Sequence, residues 1–366
     1  MKLTYSLILA AASSGLAFGA ATAYTTPVGY ESIDLTSGLN YVGLRLHQNN
    51  IVAGVLTGVG SHTVTDSTMN FTNILDPSKT YILEINSGIG FIQIIAGTAG
   101  SSAGVITTPD DLLAAGVSGT SAYSIRPCAT LASIFGVVPD PNLFTHGFTS
   151  ESGADQVWIP NAAGDFDYYY YDDHYGSPVV AGWRKFDLLN PATPYVLVTP
   201  ASVLIPYDEG MIVNSPGLNG NTNLPETLVV SGEIKKTAVA LAAVGGLNYF
   251  STVFPVGSTL ASAFGTVPVD PSVDPTAGGL THGFTSESGA DQVWIPNAAG
   301  DFDYYYYDDH YGSPWVAGWR KFDLLNPAIP YVLVNPANVQ ISASGVIINS
   351  VGGNLKLSAP GFYSGL

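Results

Sequence analysis

The chain copies itself. Residues 145–200 and 281–336 align without a gap at an offset of 136, and the 56 aligned pairs differ only at Val179/Trp315, Thr193/Ile329 and Thr199/Asn335. Two near-identical stretches must bury the same apolar face twice, so the chain holds two units of one architecture. The likeness extends outward with small length changes. Residues 130–136 match 259–265 at an offset of 129, which makes the loop before the second copy seven residues longer. Downstream, Gly210 with Asn214 and Ser215 matches Gly345 with Asn349 and Ser350 at an offset of 135. These limits give a first module near 121–230 and a second near 245–366, both of ordinary domain size, behind a separate N-terminal β-rich region at 24–120.

Strand signals dominate within a module. Residues 156–159 and 165–171 are β-branched or aromatic runs flanking an Asn/Gly turn, the pattern of a hairpin, and 183–186, 195–198, 211–213 and 227–230 continue it. In the N-terminal region 41–46, 81–85 and 91–95 read as strands. Helix signals are few. Thr130 and Gly136 cap a short one, and Thr108, Pro109, Asp110, Asp111 and Gly116 spell the start and stop of another. With 41 Gly, 24 Pro and only 11% charged residues, the expected fold is mainly β: tandem β-sandwich or barrel-like modules with one or two short helices each.

Residues 1–23 read as a signal peptide: Lys2, an apolar run at 7–12, and Ala21-Thr22-Ala23 as the cleavage signal. The expected location is therefore outside the cytoplasm, whether periplasm, cell surface or medium. No later stretch is apolar enough for a membrane span. Cys128 is the only cysteine, which excludes an intramolecular disulfide and cysteine-built metal centres. Eleven Lys and Arg against 28 Asp and Glu give a formal net charge of −17, a surface that repels nucleic acid and leaves cations or neutral, hydroxyl-rich ligands as partners.

Ala-Asp-Gln-Val-Trp-Ile-Pro-Asn-Ala-Ala-Gly at 154–164, the Tyr run at 168–171, Gly182-Trp183-Arg184, the 130–136 segment, and upstream Tyr81-Ile82-Leu83-Glu84-Ile85-Asn86-Ser87-Gly88 with Tyr123-Ser124-Ile125-Arg126 resemble a paralogous family of secreted proteins abundant in Verrucomicrobia. The likeness spans nearly all of the mature chain. The resemblance implies an exported, β-rich product and brings no catalytic residue with it.

The segment with most chemistry is 164–175, repeated at 300–311. Alternation along a strand puts Asp165, Asp167, Tyr169, Tyr171 and Asp173 on one face and Phe166, Tyr168, Tyr170 and Asp172 on the other. One reading makes the second row the core and the first a solvated acidic row. The sharper reading is a ligand platform in which Trp158, Tyr169 and Tyr171, with their copies Trp294, Tyr305 and Tyr307, stack on sugar faces. Asp165, Asp167, Asp172 and Asp173, with Asp301, Asp303, Asp308 and Asp309, are candidate calcium ligands, although no Asp-x-Asp-x-Asp-Gly loop is present. His146 and His174 with their copies are further candidate ligands, against the plainer reading of loop histidines satisfied by hydrogen bonds. Arg184 and Lys185 beside Trp183 fit an aromatic stack locked by a nearby Asp.

Reaction chemistry has little support. Asp165 and Asp167 would project in parallel instead of flanking a bond, and Ser102 in Gly100-Ser101-Ser102-Ala103-Gly104 precedes an extended segment where a nucleophile elbow needs a helix. The sequence thus points to a non-catalytic exported structural, matrix or surface-adhesion protein, with itself or neighbouring surface proteins as partners. A glycan-binding protein for neutral polysaccharide is the alternative, and a secreted hydrolase the third reading.

Overall fold

The computed structural model describes residues 28–190, 195–222, 225–274, 277–326, 331–341, 343–349 and 352–365; the signal peptide expected at 1–23 lies outside them. The chain is mainly β, built from open antiparallel sheets with two short α-helices among the described residues. Each module is a six-stranded sheet. In the first, the spatial order is Val196–Leu197, Gly182–Phe186, Phe166–Asp172, Gln156–Pro160, Gly210–Ser215 and Gly38–Gly43. In the second it is Val332–Leu333, Gly318–Phe322, Phe302–Asp308, Gln292–Pro296, Ser344–Asn349 and Gly246–Ser251. A two-stranded ribbon accompanies each sheet: Val28–Leu35 with Glu226–Glu233, and Val239–Ala243 with Gly353–Leu357.

The expected hairpin forms with Trp158 opposite Tyr168, and its copy with Trp294 opposite Tyr304. The expected helix is Leu131–Phe135, repeated as Leu260–Phe264. Thr130 and Ser133 exchange hydrogen bonds in a capping box, as do Thr259 and Ser262. The second expected helix does not form. Residues 112–116 make a single turn in which Asp111 accepts from Ala114 N, while Thr108 bonds instead to the Asp110 carbonyl.

Strand pairing moves the module boundaries. Residues 28–43, assigned above to the N-terminal region, supply one ribbon strand and the inner edge strand of the first sheet, where Gly246–Ser251 stands in the second. The first module is therefore split, and 52–127 is an insert with its own four-stranded and three-stranded sheets and its own core around Leu83, Tyr123 and Ile125. The sequence signal for this was Gly38-Leu39-Asn40-Tyr41 against Gly246-Leu247-Asn248-Tyr249. Asn40 closes the turn before its strand by accepting from Thr36 N (2.9 Å) and donating to Thr36 O (2.7 Å) and Val213 O (3.1 Å). Asn248 does the same with Val244 N (2.7 Å), Val244 O (2.8 Å) and Ile347 O (3.4 Å). A second correction is one of register. Gln156 faces Asn214 whereas Gln292 faces Ile348, so the structural offset is 134 and Ser215 corresponds to Asn349. The identities at offset 135 are one residue out, a slip that would have turned every side chain to the wrong face.

The two modules meet about an approximate twofold axis. Tyr41 packs edge-on against Phe302 (centroids 4.9 Å) and its equivalent Tyr249 packs in the same way against Phe166 (4.6 Å), the reciprocal contact that defines an isologous interface. At the axis Gly43 faces its own equivalent, Ser251. A Cβ on Gly43 would lie 2.4 Å from the Ala343 carbonyl oxygen and 2.6 Å from Ser251 Oγ, so one of the two equivalent positions has to be glycine. One apolar core, including Val157, Val213, Val293 and Ile347, runs through both modules.

Candidate functional site

Both faces of the aromatic–acidic strand are covered. Tyr169 and Tyr171 join the main core with Trp183, while Tyr168 and Tyr170 form a satellite cluster with Phe186, and the second copy repeats this. The core row is therefore the one expected to be solvated. The proposed platform is overturned in its basis: Tyr169, Tyr171, Tyr305 and Tyr307 are at most 7% exposed, and Trp158 and Trp294 are half-buried, each indole N–H donating to Gln156 or Gln292 Oε1 and each ring set edge-on against Tyr168 or Tyr304. Aromatic rings at alternate positions found apolar neighbours on both sides because the chain crosses each face with other elements.

The eight candidate calcium ligands do not converge as a set. Asp165 and Asp301 each cap their own turn through the next backbone N–H (2.8 and 2.7 Å). Asp167 pairs with Lys185 (2.5 Å) and Asp303 with Lys321 (2.7 Å). Burial opposes the charge on Asp167, but Lys185 and Asn161 hold its carboxyl below the ordinary value. Asp172 and Asp308 are fully buried and accept the N–H of His174 and His310 (2.7 Å each). Asp173 faces His146 Nδ1 (2.8 Å) and Asp309 faces His282 Nδ1 (3.0 Å). In the second module a third donor, Asp270 from the longer loop, joins them, so the ligand atoms of Asp270, His282 and Asp309 lie within 4.8 Å of one another. Asp270 was missed because only the seven-residue difference in loop length marked it. Arg184 stacks on Tyr175 (4.1 Å), as expected, but its guanidinium donates to the Val180 carbonyl while Lys185 takes the aspartate.

Two further charged groups lie at junctions. Where the insert meets the modules, buried Glu84 accepts from Ser124 (2.6 Å) and Tyr207 (2.5 Å) and pairs with Arg126 (2.9 Å) and Lys235 (3.4 Å). Burial raises its pKa, but Lys235 and Arg126 prevail and hold it at about 2. His47 beside them is pushed down to about 3 by burial and then by Arg126, and it donates from Nε2 to Val253 O (3.1 Å). Between the modules, a cavity of about 250 Å³ is lined by Asn161, Asp165, Asp208, Glu209, Asn248 and Tyr249, among others. Burial pushes Asp208 up to about 6, and burial with the charge of Asp208 pushes Glu209 up to about 8. Among the described residues, no His, Lys, Ser or Cys side chain lines this cavity with them. Ser102 sits in a turn followed by the strand Val105–Thr107, not by a helix.

Part of the exposed apolar surface is doubled. Val196–Leu197 and Val332–Leu333 are the outer edges of the two sheets, farthest in sheet order from the intermodule contact, and all four side chains are more than half exposed. Leu188 and Leu189, and their copies Leu324 and Leu325, are exposed as well. The chain matches no family model, no curated protein and no solved structure.

Proposed function

We propose that this is an exported, non-catalytic scaffold protein that assembles with copies of itself through the outer edges of its two sheets. The observation carrying this reading is the doubled apolar edge. The inner edges are consumed in the intermodule contact, whereas Val196–Leu197 and Val332–Leu333 leave strand backbone and exposed aliphatic side chains unpartnered among the described residues. Such an edge is a template for another strand. An approximate twofold gives each molecule two equivalent edges, and a molecule with two self-complementary ends forms chains. The test is sedimentation of the full mature chain over a concentration series, with negative-stain imaging. The wild type is expected to form extended polymers, Leu197→Lys or Leu333→Lys alone to stop at dimers, and the double variant to stay monomeric. Polymers that survive the double variant, or a wild type monomeric at all concentrations, remove this reading.

A glycan-binding reading retains support from a different place than expected. Trp315 and Phe284 are 66% and 64% exposed and flank His310, with ring centroids 4.6 and 4.4 Å from it, whereas the first module has Val179 in place of the Trp. An exposed aromatic corner of this kind suits the apolar face of a sugar. Retention on a neutral polysaccharide that Trp315→Val abolishes would establish it.

A further inference from the structure

We propose that Asp270, His282 and Asp309 form a divalent-cation site of the zinc class, present in the second module and absent from the first. The argument begins with a proton count. A neutral imidazole has one N–H, and carbonyl and carboxylate oxygens only accept. His282 Nε2 lies 3.0 Å from the Pro268 carbonyl, while Nδ1 lies 3.0 Å from Asp309 Oδ2 and 3.9 Å from Asp270 Oδ2. With the proton on Nε2, the Nδ1 lone pair points at two carboxylates that cannot donate to it.

In the first module the same ring geometry recurs with one carboxylate: His146 Nε2 to Pro139 O (3.0 Å) and Nδ1 to Asp173 (2.8 Å). In the second module the same nitrogen faces two carboxylates, those of Asp309 and Asp270. A dication among the three atoms would meet the nitrogen lone pair and both carboxylates at once.

With bonds of about 2.1 Å, neighbouring ligand atoms around a cation lie roughly 3.0 Å apart in an octahedral shell and about 3.4 Å apart in a tetrahedral one. The His282–Asp309 separation of 3.0 Å already matches, and Asp270 at 3.9 Å has to close on the ion as it binds. His282 is nine-tenths buried, whereas the Asp270 and Asp309 side chains are 20% and 38% exposed, which leaves water-facing positions to complete the shell. Asp270 Oδ1 is occupied by Ser272 N (2.8 Å), so Oδ2 is the oxygen turned inward. An imidazole nitrogen with two carboxylates favours zinc over calcium, which prefers an all-oxygen shell. The ion would tie the longer loop of the second module to the end of the strand Phe302–Asp308.

The test uses the full mature chain, stripped with chelator and titrated with ZnCl₂, MnCl₂ and CaCl₂ by calorimetry. One zinc per chain is expected, bound more tightly than manganese or calcium. Asp270→Asn should weaken it by about tenfold or more, and Asp173→Asn, in the first module, should leave it unchanged. X-ray absorption at the zinc edge of the loaded wild type should read one imidazole in a shell otherwise of oxygen, a measurement that stands even if Asp270→Asn fails to fold. Absence of bound zinc, binding that persists at full strength in a folded Asp270→Asn, a shell with two imidazoles, or tighter binding of calcium overturns the proposal.

Discussion

The second module is one continuous stretch of chain, whereas the first is assembled from two, 28–43 and 129–233, with the insert 52–127 between them. The same sheet order results in both. The difference teaches that the fold is specified by strand pairing and core contacts, not by chain continuity: an entire unit with its own core can enter after the inner edge strand provided its ends return to the same place. The insert is fixed by apolar packing, with Ile82 entering the main core, and by a buried polar cluster. Glu84 and Arg126 come from the insert, Tyr207 and Lys235 from outside it, and all four are buried.

The largest expected effect breaks that attachment. Glu84→Ala strands buried Lys235 without its carboxylate and leaves Arg126 only Glu233, at 3.7 Å, which costs about 3–5 kcal/mol. Urea unfolding should show it as a lower midpoint, with the insert detaching before the modules. The pH dependence has a definite sign. Glu84 is held at about 2 in the fold and titrates in the ordinary carboxylate range when unfolded, so its contribution is present above that range and lost as pH falls towards 2. Equal acid sensitivity in the wild type and Glu84→Ala would show that the cluster does not hold the insert.

The next effect sharpens the comparison at the axis. Gly43→Ser makes the two modules alike at that position and should nevertheless destabilise by about 2–3 kcal/mol, because the new Cβ meets the Ala343 carbonyl and Ser251 Oγ. Combining it with Ser251→Gly moves the single glycine to the other module. That double variant loses the Ser251 bonds to Leu44 O (3.2 Å) and Val253 N (3.1 Å) but should recover part of the stability. Thermal melts of the three variants decide it; additive losses would mean that the two residues do not meet at an axis.

How far the sequence foretold this depends on the range of the interaction. The hairpin at Gln156–Pro160 and Phe166–Asp172 and the capped helix Leu131–Phe135 were legible because turn chemistry and caps are local. The face of Tyr169 and Tyr171 was not, since whether an aromatic row meets solvent or another element is decided by segments far along the chain. The split first module was in principle legible in Gly-Leu-Asn-Tyr at 38–41 and 246–249, but a four-residue identity gains meaning only when Asn40 and Asn248 are seen closing the same turn. The Asp270 triad was hidden by the loop-length change that created it. The outer edges carry no local sign that distinguishes them from interior strands: Val196–Leu197 is as apolar as any core pair.

The smallest expected effect concerns one position where near-identical sequences acquired different partners. In the first module buried Asp155 accepts from Thr145 N (2.5 Å) and lies against buried Glu226, which in turn accepts from Ser215 Oγ (3.1 Å). In the second, Asp291 accepts from Thr281 N (2.8 Å) and from the amide of Asn349 (3.3 Å), and Asn349 occupies the place of Ser215. Burial, then the hydrogen bond and charge of Glu226, push Asp155 up to about 8. A carboxyl raised in the fold keeps its proton where the unfolded chain has released it. Its contribution is therefore complete below about pH 4 and declines as pH rises towards 8, with a slope of up to about 1.4 kcal/mol per pH unit for one proton. Asp155→Asn supplies a permanent amide donor towards Glu226 and gives the first module the amide–carboxylate pair of the second. The variant should match the wild type near pH 4 and exceed it by a margin that widens with pH up to about 8 and then levels off, read from urea midpoints across that range. An unchanged pH slope in the variant would mean that Asp155 holds no proton in the fold, and that the two modules are equivalent at this position after all.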